Sequence, residues 1–255
     1  MKKRSLIQIL CFILATAILV FGIMVGKNPI HNLCPYAVIC FGLLRGNIIN
    51  LSLGLAALGI LLGIIFMIIS LFWGRVYCGS ICPLGSYQEW IYAALRKPGQ
   101  KQLPRYYEGI LSKTKYLILL ITILLVITGF AWIYIQFCPL YALSRLPSVA
   151  IGGLLTLGLI TLGPLFFERF WCRYLCPYAA LLNIAQKVGQ LFSIPRHKVQ
   201  RNLERCNDCG LCSLNCSMNL DILSDEYVQS EDCIHCLRCA RVCPKPGTIT
   251  VKKER

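Results

Sequence analysis

Four long apolar stretches constrain the fold of this chain more than any other feature of its sequence. They cover residues 5–26, 51–73, 116–135 and 146–167. Each has about the 20 residues that an α-helix needs to cross the hydrocarbon core of a bilayer. Only 15% of the residues are charged, whereas about a quarter are charged in a soluble domain. We therefore predict four transmembrane helices, of which the first is an uncleaved helix and not a secretory signal.

The 26 Lys and Arg residues are distributed unevenly between these stretches. Three precede the first stretch, seven lie between the second and the third, and thirteen follow the fourth, whereas the other two loops hold three. Because basic loops stay in the cytoplasm, both termini and the middle loop are expected on that side. We interpret the net charge of +15 as a surface for the lipid bilayer or an acidic redox partner, and not for nucleic acid.

Cysteine–proline motifs occur twice along the apolar part of the chain. The pair Cys34-Pro35 is echoed by Cys138-Pro139, and the Cys-x3-Cys-Pro motif that begins at Cys78 is echoed by the one that begins at Cys172. Each copy contains two apolar stretches, so both copies run in the same sense through the membrane. The sequence thus predicts that residues 1–190 form an all-α four-helix transmembrane bundle of two parallel repeats, at about 1–97 and 115–190.

Eight more cysteines form a doubled run near the end of the chain. Both halves of this run have the spacing Cys-x2-Cys-x2-Cys-x3-Cys, which is typical of bacterial ferredoxins that bind two [4Fe–4S] clusters. In such runs the fourth cysteine binds the other cluster. A zinc ribbon is the alternative, but it needs only four cysteines in two pairs. Residues 198–255 are therefore predicted to form a small α+β two-cluster ferredoxin domain. Its first cluster is assigned Cys206, Cys209, Cys212 and Cys243, and its second cluster is assigned Cys233, Cys236, Cys239 and Cys216.

The cysteines of the apolar part leave several groupings open. A two-fold relation between the repeats brings two pairs together into one soft four-cysteine site at the cytoplasmic face, made of Cys78, Cys82, Cys172 and Cys176. A second grouping pools cysteines by half, with Cys34 and Cys40 joining the first pair and Cys138 joining the second. A third interpretation makes them packing residues or redox-active thiols. The predicted topology puts Cys34, Cys40 and Cys138 in an outer-side site, and one or two further iron–sulfur clusters are expected beyond the tail.

Taken together, these motifs resemble four-helix iron–sulfur membrane proteins of the NapH type, the quinol-dehydrogenase membrane subunit associated with periplasmic nitrate reductase. Cys34 and Cys138 are more similar to polyferredoxin-like relatives. The resemblance implies a multi-pass protein of the prokaryotic cell membrane that works in a multi-subunit complex. It implies electron exchange between the ferredoxin clusters and the quinone pool, or an extracytoplasmic redox partner. The alternatives are an assembly factor that reduces a metal or cysteine in another metalloenzyme, and a structural anchor subunit.

Removal of iron is expected to unfold the tail, because a module of about 50 residues has too small an apolar core to fold alone. The measurement is limited proteolysis of anaerobically purified protein before and after chelation of iron. Residues 198–255 should become susceptible while the apolar helices stay resistant. A tail that remains protected without iron contradicts this prediction.

Overall fold

The computed structural model describes residues 2–24, 34–40, 55–95, 104–146 and 148–254. The protein is mostly helical. The first half contains α1 (Lys2–Met24), α2 (Ala37–Cys40), α3 (Leu55–Trp73), α4 (Val76–Ser80) and α5 (Pro83–Leu95). The second half contains α6 (Arg105–Leu111), α7 (Thr114–Ile127), α8 (Ala131–Gln136), α9 (Pro139–Ser144), α10 (Ile151–Phe166), a π-helical turn (Trp171–Leu175) and α11 (Pro177–Leu191).

A small α+β unit follows the helices, and we refer to residues 196–254 as the tail. Its first strand, β1 (Arg196–Arg201), pairs antiparallel with its last strand, β2 (Ile249–Glu254). Two short helices, α12 (Leu211–Leu214) and α13 (Arg238–Val242), lie between the strands in sequence. The predicted start of this unit at residue 198 falls inside β1, so the first strand begins two residues earlier than expected.

Each predicted apolar stretch contains an apolar helix, but the helices differ in length. Arg4–Met24 and Tyr107–Ile127 are long and apolar enough to cross a bilayer, whereas Ala57–Trp73 and Ile151–Phe166 are shorter. All four expose large apolar side chains on their outer faces, for example Leu14, Leu61, Leu124 and Leu155. Apolar surface on this scale is rare on a monomeric soluble protein.

The third apolar helix is not continuous over 116–135, as the sequence predicted. It ends at Ile127, and the chain resumes as α8 at Ala131. Gly129 between them has a φ of +82°, a conformation that glycine adopts without steric cost and that ends helices. The helix also starts before the predicted residue 116, because α6 leads directly into α7.

The fourth apolar helix begins at Ile151 instead of residue 146. Part of the difference follows from the sequence, because Pro147 disfavours the helical conformation at the residue before it, Leu146. Pro164 lies inside α10, and the helix continues to Phe166, as the sequence predicted. The second helix is described from Leu55 onwards, so residues 51–54 of the predicted stretch lie outside the described part.

The helices of the two halves pack in a matched way. Helix α1 packs against α5, and α7 packs against α11. Helix α10 of the second half packs against α5, while α3 of the first half packs against α11. The short helices follow the same scheme, since α2 packs against α3 and α9 against α10. Each of these contacts in one half therefore has a counterpart in the other.

The tail packs directly on the helices. Strand β1 contacts α3, and the ring of His197 stacks on that of Trp73 with 4.0 Å between the ring centroids. At α4, a Cβ atom added to Gly79 would lie 2.2 Å from the carbonyl oxygen of Ile234. Gly79 is therefore required for the close approach of the two backbones.

Replacing Gly79 by alanine is expected to destabilise this contact by about 1–3 kcal/mol, the usual range for overpacking. The tail should then detach at a lower temperature than in the wild type, as followed by thermal unfolding and by protease cleavage of the tail. Gly109→Ala is the matched control, because a Cβ there meets no atom within 4 Å. If the tail detaches at the same temperature in the Gly79→Ala and Gly109→Ala variants, the prediction is wrong.

Candidate iron–sulfur centres

A cavity of about 380 Å³ in the tail is lined by four cysteines. The rest of its wall is mostly apolar, with Val199, Ile222 and Val228 among the lining residues. The four cysteines are those assigned from the sequence to the second tail cluster, namely Cys216, Cys233, Cys236 and Cys239. Soft sulfur donors in an apolar enclosure are a donor set that fits a [4Fe–4S] cluster.

Burial affects the acidity of these thiols. It raises the pKa of Cys216 to about 11 and that of Cys239 to about 12, and it raises the pKa of Cys233 as well. Such thiols keep their protons at neutral pH unless a cation displaces them. Binding of iron at this site therefore releases protons.

The two cysteine runs of the tail share one backbone conformation. Asp208 and His235, each two residues after the first cysteine of a run, have φ angles of 52° and 50°. Gly210 and Leu237, each directly after the second cysteine, are also left-handed, at 76° and 54°. Non-glycine residues seldom adopt this conformation, so its repetition at matching positions indicates that both loops wrap in the same way.

The cysteines assigned to the first tail cluster are less enclosed. Cys212 is buried, Cys206 and Cys243 are partly buried, and Cys209 is exposed. Arg201 lies beside this group, and its Nη1 donates to the Cys206 sulfur at 3.6 Å. The first tail site therefore lies nearer to the protein surface than the second.

A second cavity, of about 660 Å³, lies among the helices. Six cysteines line it, and we refer to it as the six-cysteine chamber: Cys34, Cys78, Cys82, Cys138, Cys172 and Cys176. Aromatic residues complete much of the wall, including Tyr36, Tyr77, Tyr178 and Trp171. Among the residues that the structure describes, no three His, Cys, Asp or Glu side chains come together closely enough to bind a single metal ion.

The chamber brings together cysteines whose grouping the sequence left open. Cys34 and Cys138, which the predicted topology puts on the outer side with Cys40, line the same cavity as the two Cys-x3-Cys-Pro motifs. The reason is that the short helices α2 and α9, which follow Cys34 and Cys138, pack against α3 and α10 inside the helical bundle. The side chain of Cys40 lies outside the described part of the structure.

Three chamber cysteines lie immediately before the first turn of a helix. Cys82, Cys138 and Cys176 are each followed by a proline that is the first helical residue of α5, α9 or α11. Each sulfur accepts a hydrogen bond from the backbone N–H three residues further on, in Gly85, Tyr141 and Ala179 respectively. Hydrogen bonds of this kind favour a thiolate and are one of the factors that set the potential of an iron–sulfur centre.

The chamber and the second tail cavity share a wall. Cys78 lines the chamber, and the next residue, Gly79, lies against Ile234. Ile234 lies between Cys233 and Cys236 in the sequence and lines the tail cavity. Cys78 and Ile234 belong to one buried apolar cluster, and Cys236 packs against it. The two candidate centres are therefore separated by protein interior and not by solvent.

Ion pairs surround this shared wall. Asp232 of the tail accepts from Arg75 at 2.5 Å and also pairs with Lys115. Glu89 of α5 pairs with Arg169, with Arg4 at 2.7 Å and with Arg238 of the tail at 3.2 Å. Two carboxylates, one on each side of the interface, therefore anchor the tail to the helices.

These ion pairs could hardly be predicted from the sequence. Their members lie far apart along the chain, as with Glu168 and Arg238, which are 70 positions apart and pair at 2.6 Å. The sequence signal that was available is the presence of charged residues close to the Cys-x3-Cys-Pro motifs. Arg75 and Arg169 each stand three residues before such a motif.

Comparison with known proteins supports the iron–sulfur assignment. A family model described as a 4Fe-4S binding domain matches residues 55–101 and 149–198. Each match covers one apolar helix and one Cys-x3-Cys-Pro motif. These matches and the cysteine-lined cavities define the chain as a mostly helical iron–sulfur protein of the ferredoxin type.

Several curated proteins are similar over most of the chain. The chain is 30% identical to the putative electron transport protein YccM of Escherichia coli over 78% of its own length and 57% of that protein's length. It is 31% identical to the uncharacterized protein MJ0750 of Methanocaldococcus jannaschii, with 84% of each covered. It is 28% identical to the ferredoxin-type protein NapH of Escherichia coli, with 70% and 62% covered. No solved structure matches. The chain belongs to the NapH-like, polyferredoxin-type family of iron–sulfur proteins.

The Glu89 carboxylate should make the stability of the protein depend on pH. Burial alone would raise the pKa of Glu89. The positive charges of the neighbouring Arg169, Arg4 and Arg238 outweigh this effect and lower the pKa to about 2, from 4.5. A carboxylate with a lowered pKa stabilises the folded state above its unfolded pKa, so this contribution is lost as the pH falls from about 4.5 towards 2.

Glu89→Gln should remove this pH dependence and destabilise the protein by about 3–5 kcal/mol, since it leaves buried arginine charge uncompensated. The free energy of unfolding, measured across this pH range in the wild type and the variant, checks both effects. Glu204→Gln is the control, because Glu204 is exposed. If both variants keep the wild-type pH profile, the proposed role of Glu89 is wrong.

Proposed function

We propose that this chain is a membrane-bound iron–sulfur electron-transfer protein that moves electrons between the tail and the quinone pool or an extracytoplasmic redox partner. The observation that carries the proposal is the shared wall between the second tail cavity and the six-cysteine chamber. When bound, [4Fe–4S] clusters carry one electron at a time, and the protein determines their position and potential. The electron-transport description of YccM, a similar protein, supports the same function.

The tail residues hold two of the clusters in this proposal. Cys206, Cys209, Cys212 and Cys243 bind the first, and Cys216, Cys233, Cys236 and Cys239 bind the second. The matching left-handed turns of both loops and the cavity lined by the second set support this assignment. The second set faces the helices, and the first set lies nearer to the surface, where Cys209 is exposed to a soluble partner.

The six-cysteine chamber holds a further iron–sulfur centre. Cys78, Cys82, Cys172 and Cys176 are its leading ligands, because each motif contributes a pair. Cys34 and Cys138 line the same chamber and are further candidate ligands. The match of a 4Fe-4S binding domain to both motif-containing segments supports this part of the proposal.

The helical part, residues 1–190, is proposed to span the cell membrane as two parallel repeats. The matched packing of the halves supports the repeat, and the exposed apolar faces of α1, α3, α7 and α10 support contact with lipid. The distribution of basic residues supports a cytoplasmic location for the N-terminus and the tail. A ferredoxin domain on that side can exchange electrons with a cytoplasmic protein, in a complex of several subunits.

An apolar cavity of about 1030 Å³ is the proposed quinone site. It lies between α1, α5, α9 and α10, and it shares Leu84 and Leu140 with the chamber. In the proposed repeat, Leu84 and Leu140 correspond to Tyr178 and Tyr36, which have larger side chains. The hydroxyls of Tyr87 and Thr161, 3.4 Å apart, line the cavity. Because the Thr161 hydroxyl donates to the carbonyl of Leu157, Tyr87 is the hydroxyl that can donate to a quinone carbonyl.

Cluster counting combined with quinol reduction tests the proposal. Iron, labile sulfide and EPR signals are measured on anaerobic wild-type protein, on Cys78→Ser/Cys172→Ser and on the control Cys11→Ser, whose cysteine lines neither cavity. We expect more than two clusters in the wild type and the control, and only the two tail clusters in the double variant. A wild type that holds two clusters contradicts the chamber centre.

Leu140→Tyr, which introduces the residue of the other repeat, should slow reduction of the clusters by quinol at least tenfold while dithionite still reduces them fully. Tyr141→Phe is the control, because Tyr141 lies next in sequence but does not line the cavity. If no quinol or quinone changes the absorbance of the clusters in the wild type, the proposed quinone role is wrong. In that case loss of a cofactor from one metalloenzyme in a deletion strain favours the assembly-factor alternative.

A further inference from the structure

Three buried arginines share an unusual hydrogen-bonding pattern. Within the described part of the chain, Arg75, Arg169 and Arg201 are the arginines whose buried Nε–H has no acceptor. The terminal nitrogens of all three are hydrogen-bonded. A buried donor without a partner costs about 1–3 kcal/mol, so three such donors on one residue type indicate an acceptor that protein atoms do not provide.

All three arginines lie beside cysteine sulfurs. The sulfurs of Cys78 and Cys172 are close enough to Arg75 to act on its charge, and Cys78 is within hydrogen-bonding reach. The sulfurs of Cys172 and of Cys236 in the tail are likewise close enough to Arg169 to act on its charge. Each arginine therefore stands next to residues proposed to bind a cluster.

Arg75 and Arg169 also reach across between the two halves of the protein. Arg75 donates through Nη2 to the carbonyl of Cys172 at 3.0 Å, and Arg169 donates through Nη1 to the carbonyl of Cys78 at 2.5 Å. Both side chains are completely buried. Each half thus places a fixed cation against the cysteine motif of the other half.

The chamber needs positive charge. Six of the described residues that line it are cysteines, and none is Asp, Glu, Lys, Arg or His. The nearest positive charge is that of Arg75 and Arg169, which bind the backbone carbonyls of the lining residues Cys172 and Cys78. The negative charge of four thiolates exceeds the positive charge of a [4Fe–4S] core, so a centre bound there is anionic. Adding an electron increases its negative charge further. An uncompensated charge in an apolar interior is costly, and an arginine keeps its proton even when buried.

We propose that Arg75 and Arg169 bind the anionic sulfur-ligated centre of the chamber, that their Nε–H groups donate to its sulfurs, and that Arg201 does the same for the first tail cluster. The chamber part rests on the proposed function, whereas the Arg201 part concerns the tail alone. Arg201 Nη1 is 3.6 Å from the Cys206 sulfur and 2.5 Å from Asp208. These arginines stabilise the reduced, more negative form of the centre that they contact.

The test is an EPR-monitored redox titration of anaerobic protein with Arg75→Met, Arg169→Met or Arg201→Met. Loss of one cation should make the adjacent centre harder to reduce. At a fixed potential, the ratio of reduced to oxidised centre is expected to fall by about tenfold, equivalent to one pKa unit of charge interaction. The first two variants should shift the chamber centre, and the third should shift only the first tail cluster.

Asp232→Asn is the matched control, because it removes the ion-pair partner of Arg75 and keeps the arginine. Removing this anion should make the nearby centres easier to reduce, which is the opposite sign. Arg75→Lys and Arg169→Lys retain the charge, so they should retain the chamber iron even if the methionine variants lose it.

Unchanged potentials in all three methionine variants, with iron content as in the wild type, overturn the inference. Loss of chamber iron in the lysine variants overturns it for the chamber. A wild type without a chamber centre removes the proposed function of the chamber, and the shift in Arg201→Met then decides whether the inference holds for the tail.

Discussion

The contact between Gly79 and Ile234 is the constraint on which the rest of the arrangement depends. It joins two backbones at a distance that no side chain could tolerate, and each of these residues is next to a cysteine. The chamber and the second tail cavity meet at this point. If the tail moved away by the width of one side chain, solvent could enter the space between them. The ion pairs around the contact therefore fix the position of the tail more than they stabilise the fold. The free-energy cost of desolvating buried charges is often as large as the gain from their attraction.

The same interface explains why so many charged residues are buried in so apolar a chain. Arg75, Arg169 and Lys115 are completely enclosed, and each pairs with Asp232 or Glu89. A hydrophobic interface of similar size could slide or rotate. Directional pairs between fixed guanidinium and carboxylate groups select one orientation of the tail.

Much of the arrangement could be predicted from the sequence because its signals are local. The cysteine spacing of the tail predicted the set that lines one cavity, and the apolar stretches predicted where the long helices lie. The break at Gly129 was missed, because a single glycine is tolerated in many helices. The groupings considered from the sequence did not place Cys34 and Cys138 together with all four motif cysteines, because that placement depends on how α2 and α9 pack. The partners of Glu89 and Asp232 lie far away in sequence, and no periodic pattern connects them.

The uneven exposure of the tail cysteines has a consequence for handling the protein. Cys209 is exposed to solvent, whereas the cysteines of the inner cavity are partly or fully buried among apolar side chains. Dissolved oxygen and other oxidants reach accessible thiolates first. Exposure to air should therefore remove iron from the proposed outer tail site before the inner one, and a sample purified aerobically would keep iron only in the part of the tail that packs against the helices.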